Sequence, residues 1–337
     1  IKNLTLTGGS GSYKYGVGTV YVKTGLIGEL EGAVINLKVT NLTLTGLGNY
    51  NTVGGLVGMI TAASESKIDN CIVSGSAAGF QGGSYAYIGG LVGLVSGSIS
   101  DPTTLTIRNC VSDMDFTPKG TCYVGGLLGK AEAYVTLTVE NDTVVGDMSG
   151  SSHTGGGLVG WISSMETALT VQNSVLAGKV TGSKQFGIAF DTTALKTLEC
   201  DGFYYDKTKH PSPYSWSEFK MMNKSSVTAT ALATEDLKAL ELEGFEVRAG
   251  EFNGYPVPVW TLAESPVPPA KTFGCTLVFR GLAEDGTVTL LYGETPVTAE
   301  ADGSFAVTEP GAYTYTVTGM AAYEDVSGSI TLGEADD

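Results

Sequence analysis

Val53-Gly-Gly-Leu-Val-Gly58 returns as Ile88-Gly-Gly-Leu-Val-Gly93, as Val124-Gly-Gly-Leu-Leu-Gly129 and as Gly155-Gly-Gly-Leu-Val-Gly160. Thr24-Gly-Leu-Ile-Gly28 is a weaker first copy and Phe186-Gly-Ile-Ala-Phe190 a decayed last one. The Gly before the apolar pair falls at 25, 55, 90, 126, 157 and 187, a spacing of 30, 35, 36, 31 and 30 residues. Even spacing of this order marks a stack of like units, because one unit cannot bury its apolar face alone.

A second phrase follows each first. It reads Lys67-Ile-Asp-Asn-Cys-Ile-Val73, Leu105-Thr-Ile-Arg-Asn-Cys-Val111, Leu137-Thr-Val-Glu-Asn-Asp-Thr143 and Leu169-Thr-Val-Gln-Asn-Ser-Val175, with Lys38-Val-Thr-Asn-Leu-Thr-Leu44 as an earlier copy. Ile1-Lys-Asn-Leu-Thr-Leu6 is earlier still, so the sequence opens in mid-repeat. Leu105-Thr-Ile-Arg alternates apolar and polar, the period of a half-buried strand. Helical repeats of this length are set aside because Val, Thr and Gly dominate and helix formers are sparse. The expected fold is all-β: a right-handed parallel β-solenoid followed by a small β-sandwich. Stacking places Asn41, Asn70, Asn109, Asn141 and Asn173 in one ladder at a bend, a place Asn suits by tolerating left-handed backbone and bonding its copies above and below.

The Gly-Gly-Leu-Val-Gly phrase followed by a strand and Asn resembles the GLUG repeat of bacterial surface proteins, among them immunoglobulin A protease-like proteins and large adhesins. The resemblance covers roughly residues 20–200. It implies an extracellular solenoid at the bacterial cell surface with a structural or adhesive role, and a partner such as a host glycan or an extracellular-matrix protein. The peptidase activity of that family belongs to a separate zinc domain. No His-Glu-x-x-His stands in this chain, so no activity carries over.

The expected organisation is a solenoid over 1–200, a cap covering its C-terminal end over 201–260, a Pro-rich linker over 261–272 and a sandwich over 273–337. Thr234-Glu-Asp-Leu-Lys-Ala-Leu-Glu241 carries a Thr cap and early acids, which predicts a short helix over 235–242. Asp285-Gly and Asp302-Gly are turn signals, and Ser304-Phe-Ala-Val, Tyr313-Thr-Tyr-Thr-Val and Ser329-Ile-Thr-Leu alternate as strands. This last part resembles the β-sandwich modules repeated along Gram-positive surface proteins, which implies a spacer.

Composition narrows the function. Of 337 residues, 47 are Gly, only 16% are charged, and the net charge is −16. Residues 261–337 hold twelve acids and two bases, so they supply −10 of it. An acidic chain without a basic patch excludes nucleic acid as a partner. No apolar run reaches the ~18 residues of a membrane span. Five cysteines without a CxxC pair, and two His, give no zinc set. Cys71 and Cys110 each follow a ladder Asn and are expected to stack as buried thiols.

The ligand-binding candidates are aromatic. Tyr50, Tyr85, Tyr87 and Tyr123 lie just before a Gly phrase, with His153 in the matching place, so that register would align them in a vertical stripe. Aromatic faces stack on sugar rings, and Tyr adds a hydroxyl handle. The alternative is a corner ladder of rings that protect one another. Asp113, Asp115 and Asp147 lie in corresponding segments of two repeats, and β-helices also carry polysaccharide lyases and hydrolases. Such enzymes cluster carboxylates with a base in one groove, whereas these acids are scattered and only Arg108 is near. Calcium at Asp113 and Asp115 would need more oxygen ligands than two residues supply. No catalytic residue, metal or cofactor is expected.

Overall fold

In the computed structural model, residues 1–7, 12–14, 18–20, 22–45, 48, 50–61, 65–78, 86–150, 152–163, 166–189, 195–210, 227–260, 275–279, 286–318 and 325–332 are described. Tyr85, the Asp285-Gly turn and the linker expected over 261–272 lie outside these residues.

The fold is a parallel β-solenoid of about five turns and an incomplete sixth, followed by a small antiparallel region. Each turn runs through three regions. The first region is a six-stranded parallel sheet that includes Asn51–Gly54, Ala86–Gly89, Cys122–Gly125 and Thr154–Gly156. The second is a five-stranded sheet that includes Val57–Thr61, Val92–Ser96, Leu128–Ala131 and Val159–Ile162. The third is a larger sheet bent at the Asn positions, with Glu65–Asp69, Thr103–Arg108 and Val135–Glu140 before the bend and Ile72–Ala78, Val111–Thr117 and Thr143–Val144 after it. Ala168–Leu176 and Thr197–Asp206 run through the bend as single strands.

Register stacks like on like. Leu105, Leu137, Leu169 and Leu198 form one column, and Ile68, Ile107, Val139 and Val171 another, all buried. Each apolar side chain therefore meets its own copy one turn away, and the columns merge into a single core.

The bend is a ladder of left-handed asparagines. Asn70, Asn109, Asn141 and Asn173 have φ between 46° and 55°. Asn173 donates its amide to Oδ1 of Asn141 at 3.1 Å, and Asn141 to Asn109 at 3.3 Å. Asn109 donates instead to Oδ1 of Asp69 at 3.2 Å, whose Oδ2 receives Arg108 and Lys67. Asn41 does not stand in this ladder. The corner beneath Asn70 is held by Asn36, which accepts its amide at 2.6 Å. Asn41 lies inside the strand Lys38–Thr45, where the register to the next turn slips between Val73 and Gly75, and it pairs with Asn3 at 3.0 Å. The extra residue makes a bulge, and Asn serves its left-handed backbone as it serves the corner. In the sixth turn Gly202, at φ 79°, takes the place opposite Asn173.

After the last turn, Val227–Leu232 adds one more parallel strand at the C-terminal end. The chain then turns back along the flank. The helix is shorter than the sequence predicts, Thr234–Lys238, and Ala233 is its N-cap. The Thr234 hydroxyl is used elsewhere: it donates to the buried Asp206 carboxylate at 2.7 Å, which also receives the Tyr255 hydroxyl at 2.8 Å and the Thr208 hydroxyl at 2.6 Å. These bonds outweigh burial and hold the Asp206 carboxyl below its usual range. From there Leu237, Phe252, Tyr255 and Val257 cover an apolar stripe made by Ile72, Val111, Val145, Val175 and Ala177 of successive turns. The Thr143 hydroxyl donates to the Pro256 carbonyl at 2.9 Å, and the Trp260 indole to the Asn70 carbonyl at 2.7 Å.

The C-terminal part has six strands among the described residues, in a four-stranded and a two-stranded antiparallel sheet. Leu290, Phe305, Val307 and Tyr313 form their shared core. At the Asp302-Gly turn, Asp302 accepts the Ser304 N–H at 3.0 Å.

Candidate functional site

The Gly phrases bring the first two sheets together at a tight corner. A Cβ on Gly93 would stand 2.4 Å from the Val53 nitrogen, and one on Gly129 would stand 2.5 Å from the Ile88 nitrogen. Real side chains do not come so close to backbone, so only Gly lets the strands fold back on each other here. Outside the main core, side chains from the two strands then meet.

Register aligns Thr52, Tyr87, Tyr123 and Thr154 in the first sheet, and Met59, Leu94, Lys130 and Trp161 in the second. Tyr87 and Tyr123 stack with ring centres 5.8 Å apart, and Tyr123 lies nearly parallel to Trp161 at 4.5 Å. The Lys130 ammonium stands 4.4 Å from the Tyr87 ring centre and 4.6 Å from that of Trp161. It also donates to the Tyr87 hydroxyl at 3.3 Å and pairs with Glu132 at 2.6 Å. Tyr87, Leu94 and Lys130 are buried, whereas Tyr123 and Trp161 keep part of their surface exposed. A cation held over two rings and closed by a carboxylate fixes this cluster in place.

The expected aromatic stripe divides. Tyr87 and Tyr123 belong to one column. Tyr50 lies two positions before Thr52, which is the residue opposite Tyr87, and it has a left-handed backbone at φ 54°. His153 lies one position before Thr154, which is opposite Tyr123. It is fully buried, and among the described residues neither ring nitrogen has a hydrogen-bond partner. Burial pushes its pKa down to about 4. Lys130 and Trp161 were not singled out from sequence. Their signal was present nonetheless: each directly follows the last Gly of its phrase, as Met59 and Leu94 do in theirs.

The carboxylates do not converge on a cleft. Asp115 accepts the Asp147 N–H at 2.9 Å and Asp147 the Lys179 N–H at 2.7 Å, so both serve the backbone of the next turn. Asp113 is half-buried, and burial, then the nearby Asp115 and Asp147, push its pKa up. Among the described residues no group of three or more His, Cys, Asp or Glu is placed to hold a metal ion. Cys71, Cys110, Cys122 and Cys200 are buried free thiols, and Cys275 is half-buried. Among the described residues no helix is long and apolar enough to cross a membrane.

No protein-family model matches the chain, and no curated protein sequence matches it. A solved structure does. The chain is similar to a putative immunoglobulin A1 protease from Bacteroides ovatus, with a TM-score of 0.51 and 18% identity over 77% of this chain and 75% of that one. At that identity the likeness is one of fold.

Proposed function

We propose that this chain is an extracellular bacterial surface protein with an adhesive role, and that its solenoid holds a host glycan or extracellular-matrix protein against the Tyr123–Trp161 pair. The observation that carries this reading is the half-exposed aromatic pair at 4.5 Å, made rigid from below by buried Tyr87 and Lys130. A preformed aromatic face binds sugar rings or apolar side chains with little ordering cost, and the part-exposed Glu132 carboxylate, paired with buried Lys130, offers a polar contact beside it. The solenoid likeness to a bacterial protein supports the extracellular setting.

The test is a binding screen of the whole chain against glycans and matrix proteins. A ligand whose affinity falls tenfold or more in Tyr123→Ala and Trp161→Ala, with folding retained, supports the reading. A screen without ligand, or a ligand that both variants hold as the parent does, overturns it. A second reading draws on the description of the Bacteroides ovatus neighbour, namely that this chain takes part in hydrolysing a host protein. Incubation with immunoglobulin A1 decides it: new fragments support hydrolysis and intact chains remove it.

A further inference from the structure

Among the cysteines of the described residues, one pair alone stands in register. Cys110 lies opposite Cys71, because Asp69 is opposite Arg108 and Ile72 opposite Val111, and the Cys71 carbonyl accepts the Val111 N–H at 2.8 Å. Cys122 instead stands opposite Ala86, Cys200 between Val171 and Val227, and Cys275 opposite Val307. Cys71 and Cys110 belong to the main core, just after the Asn corner, and neither has exposed surface. In-register neighbours on parallel strands are about 4.8 Å apart, within the roughly 4.4–6.8 Å between Cα atoms that a disulfide bridges.

The thiol hydrogens are not needed where they point. Cys71 Sγ donates to the Asp69 carbonyl at 3.2 Å and the Val34 carbonyl at 3.6 Å, and Cys110 Sγ to the Arg108 carbonyl at 3.0 Å and the Ile68 carbonyl at 3.6 Å. The Asp69 and Arg108 carbonyls also accept the N–H groups of Asn36 and Asn70, each at 3.1 Å. Removing both thiol hydrogens therefore leaves these two carbonyls bonded. Through its contact to Ile68, the Cys110 sulfur leans toward the turn that carries Cys71, and Cys71 meets it by giving up its long contact to Val34.

We propose that Cys71 and Cys110 are a redox-closed staple: in oxidising surroundings they form a disulfide that ties the second turn of the solenoid to the third. The oxidant is a low-molecular-weight disulfide. The Cys71 thiolate attacks one of its sulfurs, forming a mixed disulfide and expelling one thiolate; the Cys110 thiolate then attacks Cys71 Sγ and expels the second. The cysteine pair loses two electrons and two protons, and the oxidant gains them as two free thiols. Cys71 takes the first step because its hydrogen bond with Cys110 pulls its thiol down, whereas burial pushes that of Cys110 up. Both sulfurs are enclosed once the turns have stacked, so the exchange takes place while the corner is open. The bond closes a loop of one whole turn and takes that freedom from the unfolded chain. Reducing surroundings leave the free thiols of this structure.

The test refolds the full chain from urea in a buffer of oxidised and reduced glutathione, in a Cys275→Ser background that keeps the four buried cysteines. A second sample is never unfolded and is held in the same buffer with urea below its unfolding transition. Free thiols are then alkylated under denaturing conditions and counted by intact mass. Two alkylated thiols of the four are expected, without a glutathione adduct, and a peptide map joins the segments of Cys71 and Cys110. The second sample reaches the same count more slowly, and a reductant restores all four. The oxidised chain is expected to melt about 5 °C or more above the reduced one. That gap vanishes in Cys71→Ser, which gives the column the residue it already holds at Ser174. Four alkylated thiols in both samples, a disulfide joining any other pair, or an oxidised chain that melts no higher than the reduced one overturns the proposal.

Discussion

Asp142 accepts the backbone N–H of Cys110, one turn back, at 2.8 Å through a carboxylate with no exposed surface. Its other oxygen accepts the Glu140 N–H at 3.1 Å. Cys71, Cys110, Asp142 and Ser174 each follow a ladder Asn, so Asp142 is a carboxyl in a column of small, weakly polar residues. Burial pushes its carboxyl well above the usual range, the two N–H groups oppose this, and Glu140 and Asp69 add repulsion.

A raised carboxyl pKa means that the folded state holds a proton which the unfolded chain gives up. The penalty is absent in acid and grows as pH rises above the ordinary Asp range toward the folded value. Ser174 already shows the remedy, since its Oγ accepts the Asp142 N–H at 3.3 Å. Asp142→Ser should therefore stabilise the solenoid at pH 7, by about 1–3 kcal/mol, and less at pH 4. Urea unfolding at the two pH values checks this; a loss of stability at pH 7 would contradict it.

Ser112 is a second misfit in a column. It stands between Val73 and Val144 in register, buried, with no hydrogen-bond partner for its hydroxyl among the described residues. Val73 and Val144 face the Gly55 and Gly126 corners as Ser112 faces Gly90. Ser112→Val removes an unpaired buried hydroxyl and adds methyl groups where neighbouring turns already hold them. We expect a gain of about 1–2 kcal/mol in urea unfolding. A decrease would mean that the Gly90 corner is too tight for the added methyl.

His153 gives the solenoid an acid sensitivity of opposite sign to that of Asp142. Its imidazole stays neutral in the fold down to about pH 4, against an ordinary value of 6.5. As pH falls from 6.5 toward 4 the unfolded chain takes up a proton that the folded chain refuses, so stability is lost across that window. Lowering the imidazole from 6.5 to about 4 corresponds to on the order of 3 kcal/mol. His153→Met should shrink the drop in urea midpoint between pH 7 and pH 4.5; an unchanged drop would assign the acid sensitivity elsewhere.

The Asn ladder can be divided into its two contributions. Asn141 has φ 55° and takes part in two side-chain bonds, to Asn109 and from Asn173. Asn141→Gly loses the bonds but keeps the backbone free to adopt this conformation, as Gly202 does in the sixth turn. Asn141→Ala loses both. We expect a cost of about 1–2 kcal/mol for Gly and about 1 kcal/mol more for Ala, read by thermal or urea unfolding. Equal costs would show that the backbone conformation contributes nothing.

Sequence alone determined the solenoid, because a parallel stack writes its own period into the chain. Leu105, Leu137 and Leu169 must recur wherever a turn places a side chain over its copy, and Gly must recur wherever two backbones touch. The alternation in Tyr313-Thr-Tyr-Thr-Val likewise announced an antiparallel strand, Gly311–Thr318. Where one residue was inserted the period misled: Asn41 matches the phrase by eye, but a bulge hands the corner to Asn36. The meeting of Tyr123 with Trp161 needed the corner to be folded, since their column positions come from different strands and a shift of one or two residues separates Tyr50 and His153 from them.

Only the tertiary structure decided the course of residues 234–260. Phe252, Tyr255, Val257 and Trp260 follow no period. Their places depend on an apolar stripe of Ile72, Val111, Val145 and Val175 that exists only once separate turns are stacked, and on an Asp206 carboxylate that gathers hydroxyls from three segments. Repetition is a local signal that each turn carries for itself; the return of the chain along its own flank is a contact between distant parts, and no single stretch of sequence encodes it.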